Sequence, residues 1–147
     1  MNEYIKFRSA FQSFARQFDA KGSVHTPCGA SISPTKAHII MEIGNSNDGV
    51  YSLKVLAVSL GLNKSNITRL IQSLEKSGFV SKVVSKSDKR IYLLKLTTKG
   101  KKICKKIEAS SQIYIEELLS KIPSEKHKNI IETLEILNKA NSLLKDK

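Results

Sequence analysis

Apolar residues recur at spacings of three and four along most of this 147-residue chain, and one stretch breaks that rhythm into two short β-like runs. Leu53, Leu56, Ala57 and Leu60 mark one face of a short helix, with Ser52 placed to cap it. Gly61 stops that helix, because glycine accepts the left-handed conformation of a sharp exit, and Leu62 fills the corner of the turn. Asn63 is placed to cap a second helix. From Lys64 to Ser77 the positions Ile67, Leu70, Ile71 and Leu74 form an apolar stripe. Lys64, Ser65, Thr68, Arg69, Gln72 and Lys76 fall on the opposite side, rich in hydrogen-bond donors and almost free of acids. After Gly78, Phe79 to Val84 and Ile91 to Leu96 are β-branched or aromatic runs flanking the polar loop Ser85-Lys86-Ser87-Asp88-Lys89-Arg90.

The flanks are helical as well. Tyr4, Phe7, Phe11, Phe14 and Phe18 form a seam along one face, and so many aromatics on one stripe need a large apolar partner. Ser33-Pro34 reads as an N-cap followed by proline at the first helical position, leading into Ala37, Ile40, Met41 and Ile43, with a loop from Gly44 to Gly49. A long helix from Thr98 runs through Ile103, Ile107, Tyr114 and Leu118. After Pro123 a last helix starts at Ser124 and carries Ile130, Ile131, Leu134, Leu137, Ala140, Leu143 and Leu144. The pattern therefore predicts a mainly α fold with a small β-hairpin wing, a winged helix-turn-helix whose helical dimerisation region is formed by both termini. The expected division is a dimerisation helix and connector over 1–32, the winged helix-turn-helix over 33–100, and linking and dimerisation helices over 101–147. Packing of the terminal stripes on their own chain is the alternative.

Charge sharpens the picture. Lys and Arg number 25 against 13 Asp and Glu, a formal charge of +12 with a pI near 9.8, so a polyanion is attracted over long range at low salt. Basicity alone is shared by ribosome-associated and membrane-surface proteins, and its distribution says more. Lys82, Lys86, Lys89, Arg90, Lys95, Lys99, Lys101, Lys102, Lys105 and Lys106 lie in one stretch whose only acid is Asp88, with Arg69 just upstream. The wing and the helix after it are expected to share one positive surface. No signal peptide, transmembrane run, internal repeat or low-complexity tract is evident, which predicts a soluble, cytoplasmic protein without a membrane partner. An enzyme is not expected: there is no Gly-rich phosphate loop, no nucleophile elbow and no carboxylate pair suited to general acid chemistry. No cofactor is implied.

The segment resembles the MarR family of bacterial transcriptional regulators. The residues that carry the likeness are Leu56-Ala57, Leu60-Gly61-Leu62, Ser65, Ile67-Thr68-Arg69-Leu70-Ile71, Leu74-Glu75-Lys76, Gly78-Phe79-Val80, Asp88-Lys89-Arg90 and Leu96-Thr97-Thr98-Lys99-Gly100. The Leu-Thr-x-x-Gly that follows an Asp-x-Arg wing is the more specific half, since a helix-turn-helix alone occurs in many unrelated regulators. Lys89 departs from the second arginine usual in the family; lysine keeps the charge but loses the planar fork that favours bidentate readout. The resemblance implies a homodimer, with both termini packed against a symmetry mate, that reads double-stranded DNA at a pseudo-palindromic operator. It further implies a repressor released or retuned by a small effector, and a cleft between dimer helices and winged domain to which Phe11, Phe18, Met41 and Tyr114 are candidate contributors.

Site expectations follow from motif position. Lys64, Ser65, Asn66, Thr68, Arg69 and Gln72 are assigned to base or phosphate contact in the major groove, with Arg69 able to bridge guanine O6 and N7. Lys86, Lys89 and Arg90 are assigned to the wing contact, Arg90 at the minor groove, and Asp88 to orienting Arg90. Cys28, His25 and His38 are a fragment of a metal or redox site; for a metal sensor the resemblance implies paired histidines on the helix after the wing, where Lys101, Lys102, Cys104, Lys105 and Glu108 lie instead, so Cys28 and Cys104 read first as ordinary reduced cysteines. A complete metal site is not expected. Two other readings stay open: a thiol- or metal-sensing variant of the same regulator, and a winged-helix interaction module that uses the same surface to bind protein or RNA.

Overall fold

Gly61 and Gly78, the glycines at which the apolar pattern stops, both hold left-handed backbone, with φ of 61° and 75°. In the computed structural model, which describes residues 2–19 and 32–145, these two turns set the architecture. The chain runs α1 (Glu3–Asp19), α2 (Pro34–Gly44), β1 (Tyr51–Ser52), α3 (Leu53–Ser59), α4 (Lys64–Lys76), β2 (Val80–Val84), β3 (Tyr92–Leu96), α5 (Thr98–Ser120) and α6 (Ser124–Lys145). At Gly61 the Leu62 N–H donates to the Ala57 carbonyl at 2.9 Å and the Gly61 N–H to Val58 at 3.1 Å. At Gly78 the same pair recurs, Phe79 to Leu74 at 3.0 Å and Gly78 to Glu75 at 2.9 Å. Both are Schellman ends, which satisfy carbonyls a terminating helix would leave without donors and turn the chain sharply.

The mainly α fold with its β wing is as expected, with one addition. The sheet has three strands in the order β1-β3-β2, all antiparallel. Tyr51 and Ser52 pair with Leu94 and Leu93, while β2 and β3 form the anticipated hairpin from Val80↔Leu96 to Val84↔Tyr92. A two-residue strand is too short to show alternation, so periodicity had no means of finding β1. Ser52 accordingly stands at the N-cap of α3 with extended backbone but makes no side-chain cap bond, and neither does Ser33 before α2. The Tyr51 hydroxyl donates to Glu42 at 3.1 Å and ties the added strand to α2.

One core serves α2 to α5. Ile39, Ile40, Ile43, Leu56, Ile67, Ile71, Leu74, Leu94 and Ile107 are fully buried, each contributing about 1.5–3 kcal/mol relative to exposure. Leu53, Ala57, Leu60, Leu62 and Leu70, expected on the inner faces, are half-buried against this cluster. Cys104 and Ile107 carry the core past Gly100 into the first half of α5.

The terminal helices contribute no residue to that core among the described residues. Tyr4, Phe7, Phe11 and Phe14 on α1 are exposed, as are Ile131, Leu134, Leu143 and Leu144 on α6. Phe7 and Phe11 stack on each other with ring centroids 6.1 Å apart, yet their outer faces meet water. The Phe18 side chain lies outside the described residues. At the α5–α6 corner, His127 Nε2 is 3.0 Å from the carbonyls of both Leu119 and Ile122. No helix among the described residues is long and apolar enough to cross a membrane.

Candidate nucleic-acid interface

The sequence builds α4 so that one face is fixed and the other free. Asn63 accepts the Asn66 N–H at 2.8 Å and starts the helix, as its position predicted. Ile67, Ile71 and Leu74 lock the inner face into the core. Lys64, Ser65, Asn66, Arg69 and Gln72 are then exposed, and Thr68 is half-buried at the edge of the stripe. The result is a row of cationic and amide donors on a rigid element, with Glu75 the only acid on α4. Glu75 is engaged with Lys82 of β2 at 3.2 Å.

The wing presents a second set. Ser85 N–H donates to the Ile91 carbonyl at 2.8 Å and Ile91 N–H to Asp88 at 3.0 Å, closing the loop into a tight tip. Arg90 donates to Asp88 three times, from its own N–H at 2.9 Å, from Nε at 3.1 Å, and from Nη2 to the other carboxylate oxygen at 3.2 Å. The side-chain bond from Arg90, then the backbone bond from the same residue, holds the Asp88 carboxyl below its ordinary value of 3.8. Lys86 and Lys89 are exposed on the same loop.

Helix and wing meet across a cleft of about 550 Å³. Lys64 and Arg90 lie on its rim, above walls of Ala57, Val58, Ile67, Ile91 and Tyr92. Lys54 of α3 joins that rim. The candidate set did not include Lys54, although its outward phase against Leu53, Leu56 and Ala57 was the available signal. No acid lines the cleft.

The remaining candidates separate. His38 is an exposed residue of α2, and no cluster of His, Cys, Asp and Glu able to hold a metal occurs among the described residues. His25 and Cys28 lie outside those residues. Cys104 is buried, with Sγ 3.8 Å from the Ile40 carbonyl and 3.7 Å from Glu108. Burial first, then the Glu108 charge and hydrogen bond, push its pKa up to about 11, so at neutral pH it is a thiol with little nucleophilic character. Met41 packs against the core, whereas Phe11 is exposed.

Comparison with known proteins agrees with this geometry. The sequence model of the MarR family matches residues 32–92. An uncharacterized HTH-type transcriptional regulator of Bacillus subtilis, YfiV, is 32% identical over 95 residues, which are 65% of this chain and 59% of that protein. PrsX of Escherichia coli, an HTH-type transcriptional regulator, is 26% identical, and the match takes in 48% of its length. The chain thus spans only about half to three fifths of these two relatives. The multiple antibiotic resistance protein MarR of Escherichia coli is 30% identical over 139 residues, 95% of this chain and 78% of that one. Among solved structures, Streptococcus pneumoniae FabT in complex with DNA superposes with a TM-score of 0.75 at 20% identity, covering 97% of this chain and 99% of FabT, a likeness of fold. Agreement of the helix-turn-helix, the three-stranded wing, the family match over residues 32–92 and 30% identity across 95% of the chain to MarR of Escherichia coli places the chain in the MarR family of winged helix-turn-helix transcriptional regulators.

Proposed function

We propose that this regulator binds double-stranded DNA as a homodimer at a pseudo-palindromic operator and represses transcription until an effector releases or retunes it. The observation that carries the reading is an exposed donor face on α4 beside an Arg90 pre-oriented by Asp88, with Lys64 of that helix and Arg90 lining one cleft. In this reading α4 enters the major groove, where Lys64, Ser65, Asn66, Thr68, Arg69 and Gln72 contact bases and phosphates. Lys86, Lys89 and Arg90 follow the adjacent backbone, with Arg90 at the minor groove. Relatives named as transcriptional regulators and a fold neighbour solved on DNA support it.

The dimer belongs to the same proposal. Helices α1 and α6 expose apolar side chains outside the core, Tyr4, Phe7 and Phe11 on one and Ile131, Leu134, Leu143 and Leu144 on the other, which supports reading residues 1–32 and 101–147 as dimerising and linking regions around the 33–100 reader, with the first turns of α5 packed on its core. A two-fold protein places its reading helices in successive major grooves about 34–36 Å apart. An effector that favours one arm geometry changes that spacing and hence affinity, as long as it binds the two geometries unequally.

The test is selection of duplexes from a random DNA pool by the purified protein, followed by affinity for the winner against scrambled DNA as salt rises. A palindromic winner with half-sites about one turn apart, preferred at every salt concentration, is the expected result. Loss of all binding together with salt, and no enriched sequence, would overturn the reading in favour of a basic module for protein or RNA.

A further inference from the structure

Three consecutive carbonyls leave the end of α4 and all three are satisfied from one short segment at the start of α5. Lys99 Nζ donates to the Ser77 carbonyl at 2.8 Å, the Thr97 hydroxyl to Gly78 at 2.6 Å, and the Thr97 N–H to Phe79 at 3.1 Å. The Lys99 ammonium also lies 4.8 Å from the centre of the Phe79 ring. The Thr97 hydroxyl meanwhile accepts the Gly100 N–H at 2.9 Å and so caps α5, which locks the direction in which that helix departs. A side chain at Gly100 would collide with the Phe79 carbonyl, so the two backbones touch directly.

We propose that Lys99 is a positioning residue for the reading helix, holding the C-terminal end of α4 rigidly to α5, and that it is not a phosphate contact. It stands in the most basic stretch of the chain, where composition assigns every lysine to one positive surface. Its nitrogen is nonetheless committed to the negative end of the α4 dipole and to a ring face. A cation so placed stabilises the exit of α4 from two directions, and its removal frees the last turn to tilt against α5. The reading helix and the helix that leads to the arms thereby move as one body. The inference rests on the DNA-binding reading given above.

The experiment compares wild type, Lys99→Met and Lys99→Arg for affinity to the selected operator and to scrambled DNA over a range of salt, with Lys86→Gln as the reference for a phosphate contact. Methionine keeps most of the aliphatic stem and removes the donor. The expected result is that K99M lowers the operator-over-scrambled ratio roughly three- to tenfold, the scale of one ordinary net hydrogen bond, as suits a charged donor that is solvent-exposed. The slope of log affinity against log salt stays at the wild-type value, and K99R restores the ratio. Lys86→Gln, by contrast, lowers the slope by about one and leaves the ratio intact. A slope reduced by about one in K99M with an unchanged ratio would make Lys99 an ordinary phosphate contact and overturn the inference, as would a K99M indistinguishable from wild type in both. A wild-type protein that prefers no duplex would instead overturn the DNA reading itself, and this inference with it.

Discussion

Asp88 grips Arg90 through both carboxylate oxygens, with Nε at 3.1 Å and Nη2 at 3.2 Å, while the Arg90 N–H closes on the same aspartate at 2.9 Å. An exposed ion pair of this kind adds little to stability, since solvent screens it. Its value lies in geometry: an arginine with many rotamers is held in one orientation before any ligand arrives. Asp88→Asn is expected to weaken operator binding while leaving or slightly raising affinity for scrambled DNA, because a repelling acid is lost along with the orientation. Arg90→Ala is expected to lower both. Gel-shift titrations at fixed salt distinguish the two patterns. The pH dependence follows from the sign of the shift. The Asp88 carboxyl is depressed in the folded protein, so the grip is fully present above the ordinary carboxylate value of 3.8 and is lost only as pH falls through the lower folded value. Across pH 5 to 8 the wing contact should not titrate through this group.

Arg69 is exposed at the centre of the α4 face while Ile67 and Ile71 hold its backbone in the core. If it reads guanine, Arg69→Ala should cost about 1–3 kcal/mol at the operator and relax preference at one base pair of each half-site. Repeating the duplex selection with the variant checks this. An unchanged consensus would remove Arg69 from base readout.

Backbone geometry makes a sharper prediction at Gly100 than at either helix stop. Gly61→Ala and Gly78→Ala force an L side chain into φ of 61° and 75°, at about 1–2 kcal/mol each. Gly100 needs glycine for another reason: its Cβ would enter the Phe79 carbonyl, part of the backbone and unable to swing away. Gly100→Ala should therefore cost at least as much, about 2 kcal/mol or more, and shift α5. Urea denaturation of the three variants ranks them.

Cys104 offers a chemical test of the core. With its pKa raised to about 11, the thiol should react slowly with iodoacetamide at pH 8 in the native protein and quickly after denaturation. The linkage has a definite sign. An acid whose folded pKa exceeds the reference value of 9.0 stays protonated in the fold while the unfolded chain releases its proton, so this group leaves stability untouched below pH 9 and erodes it from pH 9 to about 11. Cys104→Ala should flatten that alkaline loss.

The arms predict assembly. Phe11→Asp on α1 and Leu134→Asp on α6 each place a charge on an exposed apolar stripe outside the buried core. Sedimentation should show dissociation to monomers with the helical content of the reader retained. A sedimentation coefficient equal to wild type in both variants would argue that the stripes are not the dimer contact.

What the chain determined by itself is local. The apolar periods of α3 and α4, the glycine stops at Gly61 and Gly78 and the Asn63 cap depend on neighbours within about one turn, so residue types and spacing predicted them, whereas the reach from Asp88 to Arg90, equally local, was expected from motif position. Tertiary structure decided whatever depends on residues distant in sequence. Tyr51 and Ser52 become a strand only because β3 returns beside them. Lys54 reaches the cleft between α4 and the wing only because the wing folds over α3. Lys99 looked like one more surface cation until the chain brought it to Ser77, 22 residues earlier. Similar cations in sequence acquire different roles in space, because a charge answers to the groups within a few ångströms of it, and those are set by the fold.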